Sequence, residues 1–250
     1  MTKEQRFSEI IRMINQGGII RNSEIIEKLK VSDMTVRRDL TELENMGYLV
    51  KVHGGARGKN VYNYKELSHD DKHTINSEAK DVIAHKALNL IEEGDTIFLG
   101  PGTTTEKLAS LINNKIIRIV TNCLPIFQLL LPKVSSTFKV YLVAGEYREV
   151  TKCFFGDLSN IVLSKLHYSK IFFSANGVKG DEIMTSTFEE TYTQKIAINN
   201  SEKKYLLIDS SKIGKEDFST FYNLSNIDAV IMEECDERKI RIIKEYTEVI

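Results

Sequence analysis

Three consecutive threonines follow a glycine-containing turn in the run Gly100-Pro-Gly-Thr-Thr-Thr105. The run comes directly after an apolar segment and leads into a segment with helical spacing of apolar residues. A helix N-terminus offers free backbone N–H groups to an anion, and Gly102 lets the backbone turn tightly there. The sequence therefore predicts a phosphate-binding loop made of Gly102, Thr103, Thr104 and Thr105. The alternative is a threonine-capped helix start without a ligand, because the run lacks the Gly-Lys-Thr of a Walker loop.

Further polar side chains follow other predicted strands or lie on the helices next to them. Ligands of parallel sheets collect at the carboxyl ends of the strands, so we expect these side chains to share one site. Cations and amide donors suit a phosphate group, whereas carboxylates suit sugar hydroxyl groups. The remaining candidate effector-binding residues are Thr121, Asn122, Glu146, Arg148, Asn176, Glu189, Lys195, Asp209 and Lys212.

A second set of candidate residues lies near the N-terminus, in the run Val31-Ser-Asp-Met-Thr-Val-Arg-Arg-Asp-Leu40. Ser32 is a favourable N-cap, and Val36, Leu40 and Leu43 have the spacing of an inward-facing helical stripe. Arginine can reach guanine edges or phosphates, and Thr and Met can contact a thymine methyl group. Taken alone, this segment could equally be an amphipathic surface helix with solvated arginines.

The flanking segments favour the DNA-binding interpretation. Residues 22–30 predict a preceding short helix, and residues 48–53 predict a strand that runs into Gly54-Gly55 with basic residues on both sides. Helix, turn, helix and basic wing together predict a winged helix-turn-helix. Its candidate DNA-binding residues are Ser32, Met34, Thr35, Arg37, Arg38, Lys51, His53 and Arg57.

From residue 76 onwards, predicted helices and strands alternate. Helices are predicted over 77–91, 104–111, 124–131, 158–166, 189–199 and 237–246, and strands over 95–99, 116–120, 138–143, 170–174, 204–208 and 229–232. This alternation predicts an α/β fold with a mostly parallel sheet covered on both faces. The predicted organisation is a DNA-binding domain over 1–57, a linker over 58–75 and a sensor domain over 76–250.

Composition is consistent with two domains of different partners. Residues 1–60 carry 11 Lys and Arg against 8 Asp and Glu, whereas the remaining residues carry 23 against 27. No apolar run is long enough to span a bilayer, and the sequence at Met1 does not have the basic and then apolar pattern of a signal peptide. We therefore expect a cytoplasmic protein. The three cysteines Cys123, Cys153 and Cys235 are widely separated, and we expect them to be reduced and structural.

The predicted linker contains one pattern of residues that could bind a metal. His69 and His73 are four residues apart, with Asp70 and Asp71 between them, and this spacing could seat a metal on a helix. No third or fourth ligand is apparent nearby. We therefore expect a solvated linker, with no metal and no cofactor.

The motifs together resemble a known family. Met34-Thr-Val-Arg-Arg-Asp-Leu40 followed by Val52-His-Gly-Gly-Ala56 resembles the DeoR family of bacterial transcriptional repressors. The glycine-threonine loop, the Thr121-Asn122 pair, the glycine turn after the next strand and Asp209-Ser-Ser-Lys212 resemble the sensor domain of that family. The resemblance covers almost the whole chain and implies a sensor fold similar to ribose-5-phosphate isomerase. The family turn is often Gly-Gly, and Ala144-Gly145 departs from it, which leaves the contacts of Glu146 and Arg148 open.

The resemblance also implies roles for individual residues. It implies phosphate binding by residues 102–105, and sugar or phosphate contacts by Thr121, Asn122, Glu189, Lys195, Asp209 and Lys212. Several runs are similar to family members that control lactose and tagatose-6-phosphate pathway genes: 31–40, 100–104, 121–125, 184–187 and 214–218. This similarity implies a repressor of a lactose or galactose catabolic operon that is released by a sugar phosphate, with tagatose 6-phosphate as the expected effector.

The expected partners are operator DNA, the sugar phosphate and further copies of the chain in a dimer or tetramer, with no membrane. Two alternatives remain open at the level of the sequence. One is an enzyme, a sugar-phosphate isomerase with a DNA-binding appendage, in which Glu189, Asp209 and Lys212 would be acid/base groups. The other is an activator of the same genes, since nothing in the sequence sets the sign of regulation.

Overall fold

The computed structural model describes residues 3–17, 19–46, 48–52, 54–58, 67–113 and 116–250. The chain divides into two compact units, Met1–Glu66 and Leu67–Ile250. Each unit has a hydrophobic core of its own. Within the described ranges, no helix is both long enough and apolar enough to cross a membrane.

The first unit combines three helices with a small antiparallel sheet. Its elements are α1 (Lys3–Gly17), β1 (Ile19–Arg21), α2 (Asn22–Leu29), α3 (Asp33–Asn45), β2 (Leu49–Val52) and β3 (Gly55–Gly58). The strand order is β1-β3-β2. Lys30 adopts a left-handed conformation with φ of 52°, which ends α2 and turns the chain into α3. The predicted helix-turn-helix and its wing are therefore present.

The core of this unit lies under α3. Val36, Leu40 and Leu43 are buried, which confirms the predicted inward stripe of the helix. They pack with Ile10 of α1 and Ile25 of α2 in one apolar cluster. Because α3 is held by its apolar face, its opposite face is left to polar residues.

The second unit contains the remaining elements. The helices are α4 (His69–Thr74), α5 (Ser77–Leu88), α6 (Thr103–Leu111), α7 (Leu124–Leu130), α8 (Asp157–Leu163), α9 (Phe188–Asn199) and α10 (Glu237–Lys244). The strands are β4 (Thr96–Leu99), β5 (Ile117–Thr121), β6 (Phe138–Leu142), β7 (Glu146–Arg148), β8 (Cys153–Phe155), β9 (Tyr168–Phe173), β10 (Gly177–Lys179), β11 (Glu182–Thr185), β12 (Ser201–Leu207), β13 (Ser219–Asn223), β14 (Ala229–Ile231) and β15 (Glu248–Val249).

A seven-stranded sheet organises this unit, with the order β15-β14-β12-β9-β4-β5-β6. All of its strand pairs are parallel. Successive residues of β4 point to opposite faces, so that Ile97 and Leu99 lie in one apolar cluster and Phe98 lies in the other. The predicted α/β class, with a parallel sheet buried on both faces, is confirmed.

Residues 67–75 of the predicted linker over 58–75 lie in the second compact unit and include α4. Ser68 caps α4 by accepting a hydrogen bond from the backbone N–H of Asp71, and His69 is buried. The imidazole Nε2 of His69 lies 2.8 Å from Glu106 Oε2 on α6. The charged sequence of α4 favours a solvated segment because its contact partners, such as Glu106, lie far away in the sequence.

Two smaller antiparallel structures were not predicted. β7 and β8 form an antiparallel hairpin where the sequence suggested only a strand end and a turn. β10, β11 and β13 form a separate antiparallel sheet. These strands have three to five residues and no clear alternation of apolar and polar side chains, so periodicity carries little signal for them.

Candidate nucleic-acid interface and effector site

The N-terminal end of α3 presents a polar surface next to one exposed apolar side chain. Ser32 caps the helix, and its Oγ accepts from the backbone N–H of Thr35 at 3.2 Å, as its N-cap position predicts. Met34 is 81% exposed, whereas Thr35 is half-buried. An exposed methionine of this kind has no role in the core of the unit, so it is available for contact with another molecule.

Two exposed arginines follow on the same helix. Arg37 and Arg38 are both exposed to solvent on α3. Arg37 Nε donates to Asp33 Oδ2 at 2.7 Å, a contact that involves one of its three guanidinium nitrogens. This i,i+4 pair is exposed, so it contributes little stability and can exchange for contacts to DNA.

The wing contributes further basic residues. Lys51 on β2 donates through Nζ to Thr41 Oγ1 of α3 at 2.8 Å, and this bond ties the wing to the helix. Arg57 is half-buried on the neighbouring β3. His53 lies outside the described residues.

The loop between β4 and α6 is held by its own threonine and by close packing. Thr105 Oγ1 lies 2.7 Å from the carbonyl oxygens of both Gly100 and Gly102, which accept its single proton. Thr105 therefore holds the loop and uses its hydroxyl proton for backbone carbonyls, while its expected role in phosphate binding stays a prediction. Thr103 and Thr104 are buried in the first turn of α6.

Gly102 brings this loop against the end of a neighbouring strand. Its φ of +146° is a conformation that side-chain-bearing residues rarely adopt. A Cβ at this position would lie 3.0 Å from Ser174 Cβ, just after β9. Ser174 Oγ in turn donates to the carbonyl of Leu207, at the end of β12, at 2.9 Å. The carboxyl ends of β4, β9 and β12 thus form one continuous edge, as the sequence predicted.

Three lysines converge near this edge, and Lys72, Lys80 and Lys212 are called the lysine cluster below. Lys80 is 4% exposed on α5, and its Nζ donates to the carbonyl of Lys72 on α4. Lys72 Nζ donates to Asn176 Oδ1, after β9, at 3.0 Å. Lys212 follows β12 and interacts electrostatically with both other lysines.

Burial and neighbouring positive charges disfavour the charged forms of two members of this cluster, Lys80 and Lys212. Burial lowers the pKa of Lys80, and nearby Lys212 lowers it further, although Asp209 acts in the opposite direction. Burial likewise lowers the pKa of Lys212, and Asp209 again opposes the shift. Crowded, partly desolvated ammonium groups would gain free energy from an added anion, which is the electrostatic requirement of a phosphate site.

Asp209 is the acidic member of this site. Burial disfavours its ionisation, but hydrogen bonds from Ser211 and the charge of Lys212 outweigh burial, so that the pKa of Asp209 is lowered. Asn76 Nδ2 donates to Asp209 Oδ1 at 2.9 Å and ties the start of α5 to the end of β12. Asp209 is therefore an ionised, oriented acceptor at neutral pH.

Thr121 and Asn122 differ in how far their side-chain hydrogen bonds are satisfied within the protein. Thr121 Oγ1 donates to the carbonyl of Leu99 at 2.8 Å and accepts from the N–H of Cys123, so its hydroxyl proton serves the sheet and not a ligand. Asn122 Nδ2 donates to the carbonyl of Phe154 at 2.7 Å. In the described part of the chain, the buried Oδ1 of Asn122 has no hydrogen-bond partner. A buried acceptor without a donor is costly, and a ligand hydroxyl group would satisfy it.

The other expected effector residues are not brought to the lysine cluster by the contacts described. Arg148 Nη1 lies 3.4 Å from the buried Glu190, which also accepts from Thr151 Oγ1. Glu146 and Lys195 are exposed on β7 and α9. The side chain of Glu189 lies outside the described residues. Within the described ranges, no group of three or more His, Cys, Asp or Glu side chains is arranged to hold a metal ion.

Lys72 and Lys80 are the members of the cluster that sequence reasoning missed. Lys72 lies in the predicted linker, and Lys80 lies in the helix predicted over 77–91, for which the sequence indicates no site residue. The signal for Lys80 was present, because it precedes the buried Ile83, Ala84 and Ala87 by three, four and seven residues. A charged residue in the inward stripe of a helix is rarely buried without a partner.

Comparison with known proteins now identifies both units. A model of the DeoR C terminal sensor domain matches residues 75–234, and a model of the DeoR-like helix-turn-helix domain matches residues 6–60. The chain belongs to the DeoR family. The helix-turn-helix match includes the exposed end of α3, and the sensor match includes two members of the lysine cluster.

The DeoR-family relatives match along the whole chain. A lactose phosphotransferase system repressor of Streptococcus mutans is 57% identical over 250 residues, which cover 100% of both chains. Proteins of the same name from Staphylococcus aureus and Staphylococcus epidermidis are 52% and 54% identical over the same length.

Solved structures of other families are similar only in part. Ribose 5 phosphate isomerase A from Neisseria gonorrhoeae is 21% identical, covers 56% of this chain and 55% of its own, and has a TM-score of 0.40. The eIF2B delta protein from Chaetomium thermophilum is 17% identical, covers 65% and 58%, and has a TM-score of 0.47. Similarity at this level carries no functional information.

Proposed function

We propose that this protein is a transcriptional repressor of a sugar-catabolic operon and that a sugar phosphate releases it from operator DNA. The observation that carries the proposal is the lysine cluster beside Asp209, in a chain that also has a winged helix-turn-helix. Burial and neighbouring lysines lower the pKa of Lys80 and of Lys212, so an added anion would stabilise their charged forms. A phosphate monoester, with a charge of about −1.5 to −2 at neutral pH, is such an anion.

The proposed site assigns phosphate and sugar to different groups. The lysine cluster and the free backbone N–H groups that begin α6 bind the phosphate. Asp209 and the unsatisfied Oδ1 of Asn122 accept hydrogen bonds from sugar hydroxyl groups. The hydroxyl groups of Thr105 and Thr121 shape the site through bonds to backbone carbonyls and do not donate to the ligand.

Tagatose 6-phosphate is the effector that we propose. Full-length relatives at 52–57% identity are named as lactose phosphotransferase system repressors, which supports a lactose or galactose operon as the target. Ketohexose 6-phosphates and aldohexose 6-phosphates carry the same phosphate group, so discrimination rests on Asp209, Asn122 and Asn176. The competition between these sugars in a single assay tests the choice.

DNA recognition is proposed for the exposed end of α3 and the wing. Arg37, Arg38, Thr35 and Met34 would contact base edges in the major groove, and Ser32 would lie beside them. Lys51, His53 and Arg57 would contact phosphates or the minor groove. One winged domain reads few base pairs, so the proposed binding form is a symmetric oligomer on paired half-sites.

Release requires that the effector bind the DNA-competent and DNA-incompetent states unequally. The expected transmission segment, residues 58–75, includes α4 and therefore Lys72 of the proposed phosphate site. α4 is anchored by the contact of His69 with Glu106 and by the ion pair of Asp70 with Lys152 at 2.6 Å. A phosphate that binds Lys72 would act directly on the segment that joins the two units in sequence.

The decisive experiment measures operator binding while sugar phosphates are titrated. Labelled DNA from the region upstream of its own operon is bound at fixed salt, and tagatose 6-phosphate, galactose 6-phosphate, fructose 6-phosphate and ribose 5-phosphate are added in parallel. We expect release by tagatose 6-phosphate at the lowest concentration. Tight DNA binding that no sugar phosphate alters would contradict the proposed sensor function. Chemical analysis of the sugars after incubation tests the isomerase alternative, for which conversion is the required outcome.

Two substitutions connect this response to the lysine cluster. Lys80→Met and Lys212→Met should each keep operator affinity and raise the concentration of effector needed for release by about 10-fold or more. Lys139→Met, on the exposed side of β6, is the matched control and should respond like the unaltered protein. An unaltered response of both cluster variants would place the phosphate elsewhere.

A further inference from the structure

Helix α8 carries an apolar face that the described part of the chain leaves uncovered. Leu158, Ile161 and Val162 have the i, i+3, i+4 spacing of one helical face and are 70%, 63% and 46% exposed. These three residues are called the α8 face below. Contiguous exposed aliphatic side chains on a helix mark an interaction surface more often than a solvated one.

The opposite side of α8 packs against the rest of its own domain. Leu163 and Ser159 are fully buried, and Ser159 Oγ donates to the carbonyl of Ala144 at 3.0 Å. Asn160 Oδ1 accepts from Thr193 Oγ1 of α9 at 2.8 Å. The helix is thus fixed in its domain without help from the α8 face, which is apolar for another reason.

We propose that a second copy of this chain covers the α8 face, with the two α8 helices antiparallel across a two-fold axis. The inference deepens the proposed function and rests on it, because reading paired half-sites requires a symmetric dimer. In such an isologous contact the same patch meets itself, so Ile161 and Val162 of both copies lie at the centre. Each side chain then contributes to the interface twice.

The charges at the ends of α8 favour the antiparallel arrangement. Asp157 begins the helix and Lys165 lies just beyond its end, and both are exposed. They are about 12 Å apart along the helix axis. No charged residue lies between them. Antiparallel pairing places Asp157 of one copy beside Lys165 of the other, whereas parallel pairing would place like charges together.

The first test is the oligomeric state of the full chain, measured by sedimentation at several concentrations. Ile161→Asp should raise the dimer dissociation constant by about 100-fold, because the aspartate is buried in an apolar contact on both sides of the axis. Ile242→Asp, on the exposed side of α10, is the matched control and should sediment like the unaltered chain. A dimer that survives Ile161→Asp, or one that Ile242→Asp disrupts equally, overturns the proposal.

A charge exchange tests the orientation. Asp157→Lys should weaken the dimer by about 5-fold to 10-fold, and the double variant Asp157→Lys with Lys165→Asp should restore it. Failure of the double variant to restore the dimer overturns the antiparallel arrangement. Both substitutions lie on the surface, so circular dichroism should be unaltered in each variant.

Sugar-phosphate binding separates this inference from the proposed function. Monomeric Ile161→Asp should still bind the effector in calorimetry and should lose about 10-fold or more in operator affinity. Suppose that sugar phosphate releases the unaltered chain from DNA while Ile161→Asp remains a dimer. The proposal that the α8 face forms the dimer contact is then wrong, and the proposed repressor function stands. If no variant responds to any sugar phosphate, the proposed function itself fails.

Discussion

Arg6 on α1 donates two hydrogen bonds to Asp39 on α3, from Nε to Oδ2 at 2.7 Å and from Nη2 to Oδ1 at 3.1 Å. Asp39 is 1% exposed, directly after the two arginines of the proposed DNA-reading surface. The hydrogen bond to the carboxylate of Asp39, together with the charge of that carboxylate, raises the pKa of Arg6 despite partial burial. This bidentate pair fixes the rotation of α3 about its axis, and with it the direction in which Arg37 and Arg38 face.

The first prediction concerns this pair. Asp39→Ala should lower the free energy of unfolding of the first unit by about 2 kcal/mol, because the guanidinium group is left without its partner. Glu42→Ala removes an exposed pair with Lys3 between the same two helices and should change stability by less than about 0.5 kcal/mol. Urea unfolding of both variants measures the difference. Equal effects of the two substitutions would show that the buried pair is not the structural link.

The second prediction concerns the exposed arginines of α3. Arg37→Ala and Arg38→Ala should each weaken operator binding by about 5-fold to 150-fold, which corresponds to the loss of one good contact. Arg118→Ala, an exposed arginine on β5, should leave operator affinity unaltered. Anisotropy titrations at several salt concentrations distinguish the kind of contact, because loss of a phosphate contact reduces the salt dependence by about one unit. Unaltered affinity for Arg37→Ala would contradict the DNA-reading assignment.

The parts of the fold that were predicted correctly are those with long periodic patterns. The stripe Val36, Leu40 and Leu43 located the inward face of α3, and the apolar runs located the strands of the parallel sheet. Burial on α5 follows hydrophobicity less closely, because Val82 is 45% exposed while Lys80 is 4% exposed. The Nζ of the buried Lys80 donates to the carbonyl of Lys72, a contact between helices that periodicity does not predict.

The proposed effector site rests on positions that the sequence indicates and on contacts that it does not. The sequence indicates Asp209 and Lys212 because they follow a predicted strand, and strand ends meet at one edge of a parallel sheet. Thr105 and Thr121 share that position, but their hydroxyl protons serve backbone carbonyls. A sequence does not distinguish these uses of a threonine, because the distinction depends on which carbonyl the fold places within 3 Å.

The third prediction concerns Gly102. Gly102→Ala should destabilise the sensor domain by about 1–3 kcal/mol and abolish the response to effector, because its φ of +146° is strained for alanine. The new Cβ would also lie 3.0 Å from Ser174 Cβ. Gly94→Ala is the control, since Gly94 also has a positive φ, of 85°, but nothing lies within 4 Å of the added Cβ. Gly94→Ala should lower the stability somewhat and keep the response to effector. A normal response of Gly102→Ala would place the phosphate away from this loop.

The fourth prediction is the pH dependence of effector affinity. Burial lowers the pKa of Lys80 and of Lys212 in the free protein, and a bound phosphate dianion should raise both towards or above their ordinary value. At a pH between the pKa of a lysine in the free protein and its pKa in the complex, the complex holds more protons than the free protein. Affinity should therefore be highest at neutral to mildly alkaline pH and fall as pH rises through the pKa of the bound lysines. At low pH it should fall again below about 6, where the phosphate becomes a monoanion.

Calorimetry in two buffers of different ionisation enthalpy measures the protons taken up. Net uptake should increase from pH 7.5 towards pH 9.5 in the unaltered protein. Lys80→Arg is the control, because a guanidinium group keeps its charge over this range and should remove the share of uptake that belongs to Lys80. An affinity that is constant over this range, with no proton uptake at any pH, would mean that the two lysines keep ordinary pKa values or lie away from the phosphate. A smaller uptake in Lys80→Arg would assign the titrating group directly, because the rest of the cluster is unaltered in that variant.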